Sequence, residues 1–121
     1  MKFMLLVHHD ETAFATTSEA ERERMLTESV QLTHQLDAVG QYLSASPLNP
    51  ASTATIVRVR HDNPIVSDGP FIETKDQIAG YFLVEAKDLG DAIDIAGRGP
   101  RARIGRVEIR ALIEITGLPA N

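Results

Sequence analysis

The stretch Lys2–His9 constrains this chain more than any other, because it reads as a strand with no polar face for most of its length. Phe3, Leu5 and Val7 fall on one side, Met4 and Leu6 on the other. Side chains alternate across a strand, so both sets must find cover from water. Helices supply one cover, and a second subunit would supply the other. The chain has 121 residues, 43% of them hydrophobic and 24% charged. That is enough for one domain with its own core and too little for two ordinary ones, so 1–121 reads as a single domain.

The remaining pattern alternates between helical and extended periods. Ser18 with Glu21 three residues later matches a capping box, and Met25, Leu32, Leu36 and Val39 follow at helical spacing, with Leu26 and Val30 widening the stripe. Gly40 is a stop signal, so the spacing predicts a helix over Glu19–Val39. Gln41–Ser46 reads as a short strand and Thr53–Arg60 as a longer one. His61–Pro64 makes a turn, Ile65–Ser67 a returning strand, and Ile78–Ala86 the next strand. Asp88, with Asp91 three residues on, caps a second helix with Leu89, Ala92, Ile93 and Ala96 as its apolar side, and Gly97, Gly99 and Pro100 end it. In the last strand, about Ile104–Ile115, Val107, Ile109, Ala111, Ile113 and Ile115 form an apolar face opposite Arg106, Glu108, Arg110 and Glu114.

Two helices among strands in this order predict an α+β fold, a ferredoxin-like split βαβ sandwich with both helices on one sheet face. The other face would carry Met4, Leu6, Arg58, Arg110 and part of Ile78–Ala86. Such a mixed apolar and arginine surface is unfavourable in water, and a face-to-face homodimer would cover it.

Composition removes several functions. There are no cysteines, which excludes thiolate metal sites, disulfide scaffolds and cysteine nucleophiles and suits a cytoplasmic protein. The net charge of −5 disfavours a nucleic-acid partner, although residues 98–121 hold five arginines against two glutamates. The longest apolar run, Phe3–Val7, is far short of a membrane span. No phosphate-binding glycine loop or dinucleotide fingerprint is present, so no cofactor is implied.

Three clusters carry chemistry. In Ser67–Asp76, Asp68-Gly69 favours a tight turn and Pro70 stiffens it, while Glu73, Lys75 and Asp76 place both charge signs close together. Asp68 or Glu73 would serve as a general acid/base with Lys75 as electrostatic partner, or the segment is a hairpin turn with solvated charges. His8-His9-Asp10 ends the first strand, with His8 and Asp10 pointing one way and His9 the other. An imidazole lining a ligand pocket is favoured over a metal site, since no recognised metal spacing is present. Arg58, Arg60, Arg106 and Arg110 alternate with apolar residues and would grip an anion, or pair with Glu108, Glu85 and Glu114.

Ser67-Asp68-Gly69-Pro70-Phe71, then Glu73-Thr74-Lys75 and Ile78-Ala79-Gly80-Tyr81-Phe82, resembles the signature of the DGPF branch of the YCII-related family. The resemblance extends over nearly the whole chain, from Met1–Val7 to Val107-Glu108-Ile109-Arg110. It implies a bacterial protein with a ferredoxin-like fold that pairs through its sheets as a dimeric α+β barrel. The family's functions are largely unassigned, and some relatives are associated with sigma factors by gene neighbourhood. The wider family is proposed to use a histidine on the first helix and an aspartate before its closing glycine; near those places stand Ser29 and Ala38. The positions that match the branch motif are Asp68, Gly69, Pro70, Phe71, Glu73, Lys75, Gly80 and Arg110.

Two functions are therefore expected. One is a small enzyme with lyase- or isomerase-like chemistry on a small polar or aromatic metabolite. Its catalytic residues would be Asp68, Glu73 and His8, with His9, Phe71, Lys75, Arg58 and Arg110 binding the ligand and no metal. The alternative is a non-catalytic module that binds a ligand or partner in sigma-factor-linked regulation.

Overall fold

The doubly apolar N-terminal stretch becomes β1 (Lys2–Asp10), an inner strand of the main sheet in a computed structural model that describes residues 1–120. After it come α1 (Glu11–Ala15), α2 (Glu19–Ala38), β2 (Tyr42–Pro47) and a short 3-10 turn at Ala51–Thr53. The chain continues through β3 (Thr55–Arg60), β4 (Asn63–Asp68), β5 (Asp76–Glu85), α3 (Leu89–Arg98), α4 (Arg101–Ile104) and β6 (Arg106–Ala111). The main sheet has the order β2-β5-β1-β6 with antiparallel neighbours, and β3 and β4 form a second, separate two-stranded sheet.

Alternation along β1 decides which side is which. Phe3, Leu5 and Val7 are buried on the helix side, while Met4, Leu6 and His8 lie half-buried on the other. Leu5 sits between Phe82 of β5 and Ile109 of β6. Leu32 and Leu36 of α2 and Ala92 and Ile95 of α3 complete the core over Phe3, Leu5 and Val84. Both helices begin as their caps require: Ser18 Oγ accepts from the Glu21 N–H, and the Asp88 carboxylate accepts from the Asp91 N–H. Asp10 caps α1, a helix that the sequence pattern does not reveal because one turn is too short to show a period.

Several expectations are corrected. The chain is α+β, but it has two open sheets and neither closes into a barrel, so the dimeric α+β barrel is not its architecture. Arg58 is not on the main sheet face with Arg110. It lies on the β3–β4 hairpin, opposite Ile65, and is exposed. The last strand stops at Ala111, because β1 offers partners only as far as its own first residues: Ala111 pairs with Phe3, and the Leu112 N–H donates to the Lys2 carbonyl. Ile113, beyond that point, is 87% exposed. On α3 the buried side is Ala92 and Ile95, while Leu89 and Ile93 face out.

Candidate functional site

On α2, Leu26 and Val30 extend the apolar stripe beyond the core, yet they are 50% and 46% exposed. They do not face open water alone. Together with Tyr42 and Ala45 of β2 and Gly80 and Phe82 of β5, they wall a cavity of about 180 Å³ on the helix side of the sheet. Gly80 lets its wall form: a Cβ there would stand 2.9 Å from the Ser46 carbonyl oxygen, so only glycine allows β2 this close. Ser29 and Thr33, one helical turn apart, bring hydroxyl groups to the lining.

The only charged side chain of that lining is Arg101, at the start of α4. Its guanidinium lies 4.8 Å from the centre of the Phe14 ring, and one of its N–H groups reaches His9 Nδ1 at 3.0 Å. Arginine has only donors, so Nδ1 must accept, and the His9 proton sits on Nε2. His9 is 7% exposed and stacks on Phe14 with ring centres 4.6 Å apart. Burial holds its imidazole below the usual histidine range, and the nearby Arg101 charge adds to the effect, so His9 is neutral at neutral pH. Burial also lowers Arg101, but a guanidinium starts so high that it stays cationic. Among the described residues no carboxylate comes within ion-pairing distance of Arg101.

The turn after α4 holds this arrangement. A Cβ on Gly105 would stand 2.1 Å from the His8 carbonyl oxygen, so a bare glycine lets the 101–105 segment lie directly on the end of β1. The Gly105 N–H donates to the Arg101 carbonyl at 2.9 Å, closing the turn. In the sequence Arg101 is only one of the five arginines of residues 98–121. The signal available was the pair of glycines and the proline that bracket it, Gly99-Pro100 and Gly105, which announce a tight turn against a strand.

The residues expected to form a site are divided between places. His8 Nε2 is 3.0 Å from Glu108 Oε1 on the open sheet face, across from β6. His8 also lines a second, larger hollow of about 460 Å³ with Pro70, Phe71, Asp76 and Ile78. Phe71 is 82% exposed at its rim. Lys75 pairs with Asp10 at 3.6 Å, and the cap bonds of α1, with help from Lys75, hold the Asp10 carboxyl below its usual range. Asp68 ends β4 opposite Thr55, beside Gly69, whose φ of 91° bears out the tight Asp-Gly turn. Asp68 and Glu73 are exposed and line neither cavity. Arg110 lies opposite Met4 on the open face, also exposed, and Arg58 stands apart on the hairpin. The structure thus joins His8 with Phe71 and His9 with Arg101, but joins neither pair to Asp68, Glu73, Arg58 or Arg110. No three His, Asp or Glu residues among those described converge as a metal site would require.

A scan of family models matches residues 1–116 to the YCII-related domain. With that span covered, the chain belongs to the YCII-related family. It is also similar to an uncharacterized protein of Rhizobium meliloti strain 1021, 30% identical over 114 residues that cover 93% of this chain and 92% of that one. No helix among the described residues is long and apolar enough to cross a membrane.

Proposed function

We propose that this YCII-related chain binds a small molecule in the cavity between α2 and the β2–β5 side of its sheet. One observation carries the reading: an apolar cavity of about 180 Å³ is lined by a single charged group, Arg101, that no carboxylate among the described residues satisfies. Concave, mostly apolar sites with a few placed polar groups are what small ligands use. An apolar cavity of about 150 Å³ takes up benzene, so a body of roughly one ring fits here. Ser29, near where the family resemblance places a histidine, lines the same cavity. The lining holds no carboxylate or histidine, which favours ligand binding over the acid/base enzyme at this position. The experiment is an amide-shift titration with a small-molecule library. Hits should move Val7, Ala45 and Phe82, and Ala45→Phe should abolish their binding while the chain stays folded; hits unaffected by Ala45→Phe refute the reading.

A second reading has its own support. His8, oriented by Glu108 at 3.0 Å, opens onto the hollow under the Asp-Gly-Pro-Phe loop, an arrangement suited to lyase- or isomerase-like proton transfer. The resemblance of Ser67–Phe82 to the DGPF signature supports a role for that loop. His8→Gln would then abolish turnover of any substrate found, and unchanged turnover would end this reading. A second copy over the open face that carries Met4, Leu6 and Leu83 fits the need to cover those side chains. Light scattering at micromolar concentration should give twice the chain mass.

A further inference from the structure

We infer that the ligand of this cavity is a singly charged organic acid of about one ring in size, held through its carboxylate by Arg101. The inference rests on the cavity reading above and adds the chemical class.

Arg103 meets Glu28 at 2.8 Å, Lys75 meets Asp10, and Arg24 meets Glu21. Arg101 is more buried than any of these cations and meets only an imidazole nitrogen and an aromatic face. A cation partly withdrawn from water without a countercharge loses hydration that an anion would restore. The cavity lining contains no Asp or Glu to repel such an anion. Guanidinium presents paired N–H groups that match a carboxylate, and the two contacts already made hold the group in place without neutralising it.

The charge must also be single. Behind Arg101 stands His9, which is neutral and has its Nδ1 engaged, so no second cation supports a phosphate or a dicarboxylate. Leu26, Val30 and Phe82 fill the rest of the wall, which suits an aromatic or branched apolar body. His9 acts here as a positioning residue: it fixes one edge of the guanidinium and does not line the cavity itself.

The test compares benzoate with benzyl alcohol, a pair of similar shape that differs in charge, by calorimetry and amide shifts on the full chain. A hydrogen-bonded charge contact predicts that benzoate binds about 10- to 100-fold tighter. Arg101→Met should erase that preference, and benzyl alcohol should still shift the lining amides, which shows that the cavity survives the substitution. Arg101→Lys should keep part of it. Equal binding of the two probes by the wild type, or a preference that survives Arg101→Met, overturns the organic-acid class while the cavity reading stands. If neither probe shifts the lining amides at millimolar concentration, the cavity reading falls and this inference falls with it.

Discussion

Replacing His9 with leucine tests the Arg101 arrangement through stability alone. The imidazole of His9 accepts from Arg101 at 3.0 Å and is neutral because burial and the Arg101 charge lower its affinity for protons. Leucine keeps the apolar contact with Phe14 and removes the acceptor. A hydrogen bond to a charged donor contributes about 1.5–3 kcal/mol, and the freed N–H regains part of that by reaching the cavity, so the expected loss is about 1–2 kcal/mol at pH 8. The loss should shrink in acid. The folded value of His9 lies below its ordinary 6.5, so the unfolded chain binds the proton more readily between the two. The contribution of His9 is therefore complete above pH 6.5 and falls away as pH drops through the lowered folded value. Urea melts of both proteins at pH 8 and pH 5 measure this directly. Subtracting the variant removes the contribution of every group that both proteins share. A stability difference that stays constant or grows toward pH 5 would refute the assignment of a neutral, acceptor His9.

Other outcomes follow from packing. Leu36 is fully buried between α2 and the sheet, so Leu36→Ala should lower stability by about 2–5 kcal/mol in urea melts, whereas Leu26→Ala at the cavity wall should cost far less. Gly105→Ala drives a methyl group to 2.1 Å from the His8 carbonyl oxygen and should cost at least about 3 kcal/mol, read as a large drop in thermal midpoint; a neutral result would mean that the turn does not lie on β1. The β3–β4 hairpin stands outside the main sheet with Val57, Val59 and Val66 exposed, so in dilute monomer its amides should exchange with solvent much faster than those of β1.

The fold was legible where a period or a cap ran long enough to be read. β1 declared both its faces, Ser18 and Asp88 marked where α2 and α3 begin, and Gly69 marked its turn. The end of β6 was hidden because Ile113 and Ile115 continue the alternation after β1 has run out of partners, and pairing is a fact about two strands. Arg58 was misassigned for the same reason: alternation in β3 says which side a residue takes, not which sheet the strand joins. Less of the candidate site was legible. The sequence leaves open whether His8 or His9 faces a pocket, and Arg101 and Phe14 reach His9 from elements with too few residues to show a pattern. Leu26 and Val30 read as core because a cavity wall and a core face have the same spacing.

A crystal grown with benzoate should show electron density for the ring against Leu26, Val30 and Phe82, with the carboxylate within hydrogen-bonding distance of the Arg101 guanidinium and His9 Nδ1 still engaged. A cavity that stays empty at saturating benzoate, with Arg101 turned away to pair with a carboxylate of the chain itself, would contradict a carboxylate site at Arg101.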